Sequence, residues 1–462
     1  MKLYLEDIVK AIDGRCLNQG GFGNNIIRHI CTNSKAIEPQ SLFIPLKGNK
    51  FDGHDYIKEV FDKGSIAVLT EREEIQDERL YTIYVKDTRK ALLDLGKYYR
   101  SLFDIPVIAI TGSVGKTSTK DLVAAVLSSK YNVHKTQGNY NNDIGVPLTL
   151  FELDENHEAA VIEMGMNHFG EIRTLTMTAM PDIAIITNIG TSHIENLGSR
   201  EGILQAKLEI LDGLDKKGVL ILNSDNDMLS KASNIEVKTV KYGMNHHALY
   251  RAENITIHLD KLQADIITPN DSYNIEIPTL GEHMILNALA AIAVADHLGL
   301  TKEQIQQGLK TYVPGKMRMN IKNFSNGIVV IDDTYNASLE SMKAAVKTLE
   351  SYHSHGKKIA ILGDILETGD YAKMLHEQVG AFVASTKIQM LCAVGEQAKH
   401  IYNGCKNIPS NIKIQYYETK EACIDNMSGF LTNGDTVLVK ASRGMQFEKI
   451  VDAIGKVNKN EK

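Results

Sequence analysis

Apolar positions along the chain fall into three successive regimes. In the first, helix and strand spacings alternate. LEDIVKAI has the spacing of a helix, SLFIPL of a strand and HDYIKEVFDKG of a helix; SIAVLT and YTIYV follow as strands, then the helix RKALLDLGKYYRSLF. This predicts a small α/β domain over residues 1–103, ended where Asp104-Ile105-Pro106 breaks the helix. In the second regime a buried strand, Val107 to Ile110, opens a long α/β pattern with further apolar strands at AAVIEM and DIAIIT. Between Leu249 and Pro278 the spacing changes to period two in ITIHL, LQADII and YNIEI, which predicts a small antiparallel patch. A helix with Ile285, Leu289 and Ile292 on one face follows. Beyond Pro314-Gly315 the strands GIVVIDD, KKIAILGD, IQMLCAVG, IKIQYYE and DTVLVKAS each precede a helical segment, the pattern of a doubly wound parallel sheet. The expected fold class is therefore α/β with three domains, 1–103, 104–313 and 314–462, the middle one largest.

Composition narrows the function classes. A length of 462 residues suits about three domains at ~150 residues each. No apolar run approaches the ~18 residues needed to span a bilayer, so no membrane insertion is expected. The start, MKLYLEDIVKAIDG, is amphipathic and acidic, unlike a secretory signal. A net charge of -6, spread without blocks, gives no general attraction to nucleic acid or anionic lipid. Cys16, Cys31, Cys392, Cys405 and Cys423 are odd in number and form no CxxC pair, so a reducing cytoplasm is the expected home.

The strongest chemical signal is the run from Ile110 to Ser118, ITGSVGKTS, between an apolar strand and the helix KDLVAAVLSS. Gly112 and Gly115 allow a tight turn in which the N–H groups of Ser113, Val114 and their neighbours face a polyphosphate, aided by the helix N-terminus. Lys116 can reach the outer phosphates, and the Thr117 hydroxyl, with Ser118 beside it, can ligate Mg²⁺. The full GxxxxGK[ST] pattern is incomplete because Ile110 stands at its first position. An ordinary strand-to-helix turn bearing a surface lysine is the bland alternative; the strand-loop-helix context favours phosphate.

Acids at the ends of neighbouring strands are natural metal partners. Glu163 ends AAVIEM and is followed by a turn, so it reads as a Mg²⁺ ligand or, taken alone, as a polar strand end. His193 follows a Gly-Thr-Ser turn after DIAIITNIG, at the strand end where doubly wound sheets place their sites. Lys207, in GILQAKLEILDGL, reads from pattern alone as a solvated helix lysine.

These segments occur in a recognisable order: TGSVGKT, TQGNYNNDIGVPLTL, EMGMNHFGEI, TNIGTSHIENLGS, AKLEIL, GEHMILNALAAIA, DDTYNASLESM, GDILETG and LVKASRGMQFE. Together with the N-terminal TNSKAI…SLFIPLKGNKFDGHDY they resemble the Mur ligases of bacterial peptidoglycan synthesis over nearly the whole chain. The resemblance implies a UDP-sugar domain, a central P-loop ATPase and a C-terminal Rossmann-like lobe. It further implies an ATP-dependent, ADP-forming ligase that joins D-alanyl-D-alanine to UDP-MurNAc-tripeptide through an acyl-phosphate, acting as a cytoplasmic monomer. A sister ligase adding a single amino acid and a non-catalytic nucleotide-binding scaffold are the alternatives.

By the same resemblance, Lys116 and Thr117 would hold the ATP phosphates and one Mg²⁺. Glu163 would ligate metal, His193 would help hold a second ion, and Lys207 would be carbamylated by CO₂. Asn287 would contact adenine, and Arg318 and Asp333 would reach phosphate and ribose. Ser34, Asp52, Gly53 and His54 would lie toward the UDP-sugar; Asn139, Asn142, Thr191 and Ser192 toward the muramoyl end; Lys440, Ser442 and Arg443 toward the dipeptide. The chain departs from the family pattern at Asn33-Ser34-Lys35, His283-Met284, Gly315-Lys316-Met317-Arg318, GDILETG and Lys440-Ala441-Ser442-Arg443. Lys316 therefore competes with Arg318 for the phosphate role.

Overall fold

The computed structural model describes residues 1–17, 25–75, 79–233 and 235–457. Near the N-terminus, Arg15–Cys16, Tyr81–Tyr84, Ser65–Thr70, Ser41–Phe43 and His29–Cys31 form one sheet in that order, parallel except at the first pairing. The three apolar runs supply its inner strands. The two- and three-residue strands Arg15–Cys16 and His29–Cys31 are too short for any period to show. The helix Thr88–Arg100 begins where the Asp87 carboxylate accepts from the N–H groups of Arg89 and Lys90. It buries Leu92, Leu95 and Tyr99 in a core that runs without a break to Val107, Ala109 and Ile162. Asp104-Ile105-Pro106 thus separates two sheets that share one hydrophobic core.

The central sheet has nine strands. Strand β1 (Val107–Thr111) feeds helix α1 (Lys116–Leu127), and β2 (Ala159–Glu163) and β3 (Ile183–Ile186) flank β1 on either side, all parallel. Their C-terminal ends stand side by side, where a doubly wound sheet opens its crevice. Helix α2 (Arg200–Leu208) follows β3 and starts at Ser199, whose hydroxyl accepts from Gly202 N–H. The strands Tyr250–Ile257, Leu262–Ile267 and Ser272–Ile277 pair antiparallel as their alternation predicts. They extend the parallel sheet instead of forming a patch apart, because Tyr242 and Gly243 pair in parallel with Tyr250 and Arg251. Helix α3 (His283–His297) is buried on nearly every face, not on one. Its alanines let α1 and the sheet pack close on both sides.

The C-terminal lobe holds six strands in the order Asn320–Asn323, Val329–Asp332, Thr436–Lys440, Lys358–Gly363, Met390–Val394 and Lys413–Tyr417. All pairings are parallel except that of the edge strand Asn320–Asn323, whose polar sequence gave no periodic signal. Apolar clusters cover both faces. Met342, Leu349 and Val379 lie on one, and Cys423, Ile450 and Ile454 on the other. Helix α4 (Leu339–Ser351) leads the first face and is capped by a reciprocal Ser338–Ser341 pair. Among the described residues no helix is long and apolar enough to cross a membrane, and Cys31, Cys392, Cys405 and Cys423 form no disulfide.

Candidate active site

The loop after β1 can be built only with its two glycines. A Cβ at Gly112 would lie 1.9 Å from Thr187 Oγ1, and Gly115 sits at φ +85° at the start of α1, with Asn287 Oδ1 3.0 Å from where its Cβ would be. The segment following β3 grips the loop from beside. Ser113 N–H donates to Asn188 O at 3.1 Å, Val114 N–H to Asn188 Oδ1 at 2.9 Å, and Thr187 Oγ1 to Val114 O at 2.6 Å. Gly190 N–H donates to Ser113 Oγ at 2.9 Å, and Ser192 Oγ to Ser113 O at 3.3 Å. Lys116 arches back over the loop and donates to Gly112 O at 2.8 Å. Burial lowers its pKa; Glu163 opposes that shift and Arg318 adds to it.

Glu163 at the end of β2 is 2% exposed. Its Oε1 accepts from Asn141 Nδ2 at 2.8 Å and its N–H donates to Thr136 Oγ1 at 3.0 Å. Oε2 is buried with no hydrogen-bond donor; the nearest cation is Lys120 Nζ at 3.8 Å, which itself donates to Thr136 O at 2.8 Å. An unpaired buried carboxylate oxygen is costly unless something fills it. His193, in the left-handed region at φ 62°, likewise has a buried Nδ1 without a hydrogen bond. Burial, with Lys116, Lys207 and His168 nearby, pushes its imidazole down to about 4. The Glu367 carboxylate 2.8 Å away pulls the other way, but it is 59% exposed and largely screened by water.

Lys207 overturns the expectation of a solvated lysine: on α2 it is 1% exposed. Burial and the charge of Lys116 drive its pKa well below the usual lysine value. The spacing of α2 left this hidden, because what covers Lys207 is a neighbouring element and not its own helix face.

The C-terminal lobe reaches into the same cleft. Arg318 Nη2 donates to Thr117 Oγ1 at 2.9 Å, with its guanidinium 3.9 Å above the Tyr335 ring. Lys316 is exposed, so of the two competing cations it is Arg318 that the fold brings to the loop. Asp333 pairs with Lys440 at 2.5 Å, and Lys440 also donates to Asn336 O at 2.8 Å. Thr191 Oγ1 donates to Glu340 Oε2, on α4, at 3.2 Å.

Other expected site residues also serve the framework. Asn142 Oδ1 accepts from Gly145 N–H at 2.8 Å, and Asn142 lines the cleft with Asn139 and Ser118. Asn287 lines it too, its carbonyl accepting from Thr119 at 3.1 Å. Ser442 is 3% exposed, its hydroxyl accepting from Leu366 N–H at 2.9 Å; Arg443 pairs with Glu448 at 3.0 Å. Ser34, Asp52, Gly53 and His54 lie in the N-terminal domain and do not line this cleft. There, Lys63 donates to Ser34 O at 2.8 Å, and Asp52 binds both Arg72 and His54.

Sequence reasoning missed Lys120, Asn141, Tyr335, Glu340 and Glu367. Lys120 stands one helical turn beyond Lys116, and Asn141 lies within the NYNND run, so spacing could have raised both. Glu340 and Glu367 fall within the runs DDTYNASLESM and GDILETG, but nothing in those runs shows that either residue meets the other lobe.

The cleft encloses about 400 Å³ and is lined from both sides by groups including Lys116, Glu163, His193, Arg318, Asp333 and Lys440. A divalent cation fits the donor set. Glu163 Oε2, His193 Nδ1 and the Thr117 hydroxyl are oxygen and nitrogen donors, two of them otherwise unpaired. Among the described residues no three His, Cys, Asp or Glu side chains cluster as a closed metal cage. Mg²⁺ keeps waters and takes phosphate oxygens, so it needs few protein ligands.

Three family models match in succession: "Mur ligase family, catalytic domain" over residues 26–100, "Mur ligase middle domain" over 110–295 and "Mur ligase, glutamate ligase domain" over 317–443. The UDP-N-acetylmuramoyl-tripeptide–D-alanyl-D-alanine ligase of Bacillus subtilis is 39% identical, with 98% of each chain covered. Among solved structures, MurF from Acinetobacter baumannii superposes with a TM-score of 0.91 at 31% identity over 99% of both chains. MurF from Thermotoga maritima, solved in complex with ADP, gives 0.83 at 27% identity over 93% of this chain and 97% of that one. With the three family domains in order and such relatives spanning nearly its whole length, the chain belongs to the Mur ligase family, within its UDP-N-acetylmuramoyl-tripeptide–D-alanyl-D-alanine ligase branch.

Proposed function

We propose that the protein joins D-alanyl-D-alanine to UDP-MurNAc-tripeptide at the expense of ATP, as a cytoplasmic monomer making the last soluble peptidoglycan precursor. The observation that carries this reading is the meeting of three groups in one cleft: Lys116 on its loop, the unpaired Glu163 Oε2, and Arg318 from the opposite lobe.

Peptide-bond formation in water requires a better leaving group than oxide. An oxygen of the tripeptide's terminal carboxylate attacks the γ-phosphorus, the bond to the β-phosphate oxygen breaks, and ADP leaves. The dipeptide's amine nitrogen then attacks the acyl carbon, loses a proton, and the acyl–oxygen bond breaks to release phosphate. Lys116 and Arg318 neutralise charge on the transferring phosphoryl group, and the N–H groups at the start of α1 orient it, since those of Ser113 and Val114, expected to face the phosphates, are taken by Asn188. Mg²⁺ ions, one held by Thr117 and Glu163 and a second by His193, would supply further charge neutralisation. The amine of Lys207, whose pKa burial and the charge of Lys116 drive well below the usual lysine value, can attack CO₂ through nitrogen and release a proton. The resulting carbamate would place an anion near Lys116. Contacts from Arg318, Glu340 and Glu367 hold the C-terminal lobe over the cleft, which shields an acyl-phosphate from hydrolysis.

The test is ADP release with UDP-MurNAc-tripeptide, with and without D-Ala-D-Ala, and with single amino acids in its place. Release that depends on D-Ala-D-Ala supports the reading. Release with a single amino acid alone makes the protein a sister ligase, and none with any muramoyl peptide makes it a scaffold.

A further inference from the structure

The loop Asp364-Ile365-Leu366-Glu367-Thr368 of the C-terminal lobe is fixed from several sides. Ile365 N–H donates to His376 Nε2 at 2.9 Å and Leu366 N–H to Ser442 Oγ at 2.9 Å; Asp364 Oδ1 accepts from Ala398 N–H at 2.7 Å. The loop presents Glu367 in the left-handed region, at φ 59°, where a residue with a Cβ stays only if its surroundings hold it. Just beyond it the chain docks on the central domain. Tyr371 Oη donates to Gly198 O at 2.9 Å, and Gly369 packs so tightly that a Cβ would lie 2.9 Å from Glu195 Cγ. The backbone beneath Glu367 is therefore held in place, while its side chain stays 59% exposed.

Its Oε2 lies 2.8 Å from His193 Nδ1, yet the two make no hydrogen bond, and Nδ1 is screened from water with no other partner. Two lone-pair donors at that distance match adjacent ligands of one octahedral cation. Ligands about 2.1 Å from Mg²⁺ and at right angles stand about 3 Å apart. We propose that Glu367 is a metal ligand, delivered beside His193 by the C-terminal lobe, so that this cation site is complete only when the lobes are docked. The inference rests on the reading of His193 as a metal-binding residue. No third His, Cys, Asp or Glu joins the pair among the described residues, so the other positions fall to phosphate oxygens and water. Lobe docking and metal binding then become one equilibrium, and a nucleotide without its cation holds the lobes less firmly.

The test uses the full chain with ADP and Mn²⁺, free Mn²⁺ being measured by electron paramagnetic resonance. Glu367→Gln should weaken Mn²⁺ binding about 10-fold or more, as His193→Gln should, with ADP affinity without metal and the circular-dichroism melting curve unchanged. A ligand, unlike a group that merely orients His193, passes its own preference to the metal. Glu367→Cys should therefore favour Cd²⁺ over Mn²⁺ and add a thiolate-to-metal absorption that the unsubstituted chain lacks. Unchanged Mn²⁺ affinity in Glu367→Gln, with weakened binding in His193→Gln, would overturn the role of Glu367 and leave His193 standing. Unchanged affinity in both would remove His193 as well. Weakened binding without the Cd²⁺ signature would make Glu367 an orienting residue and overturn its ligation.

Discussion

Two buried polar clusters of this molecule look alike in composition and differ in valence. In the N-terminal domain, His54 uses both ring nitrogens: Nδ1 faces Asp52 at 2.6 Å and Nε2 accepts from Glu71 N–H at 3.1 Å. Asp52 is in turn taken up by Arg72 at 2.8 Å and by the His54 N–H at 3.0 Å. In the central cleft, His193 and Glu163 are comparably enclosed, yet each keeps one buried atom unpaired. A closed network stabilises and shapes its own domain, whereas an open one waits for a ligand. The Asp52-Gly53-His54 run, expected to lie toward the UDP-sugar, is thus built first as framework.

The sharpest way to break the contrast is at the open cluster. Lys116→Ala should reduce ADP release at least about 1,000-fold, the scale of losing a phosphate-stabilising cation, while leaving the melting temperature unchanged. Retained D-Ala-D-Ala-dependent release in that variant would show that the loop is not the phosphate site. The closed cluster should respond in the opposite sense. Gly53→Ala places a Cβ 2.8 Å from Leu46 N and 2.9 Å from Pro45 Cα, both backbone atoms that cannot swing aside. It should lower stability by about 2–3 kcal/mol in urea titrations, with cleft chemistry preserved in the folded fraction.

Asp52→Asn tests the charge within the closed cluster. Burial works to raise the carboxyl's pKa, but bonds from the His54 backbone and ring, and from Arg72, overcome it and hold the group at about 2. The folded value lies below that of an unfolded Asp, so the stabilisation is complete above about pH 4 and is lost as pH falls toward 2. The variant should be about 2 kcal/mol less stable at neutral pH and converge with the parent in acid. A pH-independent difference would mean that shape matters there and charge does not. The smallest effect is expected at the join of the lobes. Tyr335→Leu removes the ring beneath Arg318 and should cost about 1 kcal/mol, about 5-fold in kcat/KM for ATP, with KM for the dipeptide unmoved.

Much of the fold was legible in the sequence because it follows from period. Apolar runs marked the long strands of the three larger sheets, and the glycines of the loop after β1 announced a turn that only glycine allows. Short strands such as Arg15–Cys16 and the polar edge strand Asn320–Asn323 escaped, because their pairing is decided by neighbours and not by their own pattern. The site divided in the same way. Lys116, Thr117, Glu163 and His193 sit at strand ends that the sequence exposes, and the structure gathers them in one cleft. Lys207 read as an ordinary helix lysine, and nothing in GDILETG gave Glu367 a role.

What the sequence determined by itself is the chemistry of each piece: a phosphate-type turn, acids and imidazoles at strand ends, and a chain built from three α/β stretches. What only the tertiary structure decided is which atoms remain unpaired. Burial and hydrogen-bond satisfaction depend on elements far apart in the chain, such as Glu367 opposite His193 and Arg318 above Thr117. No local pattern encodes them, since the energy of a polar atom is set by what surrounds it and not by what precedes it.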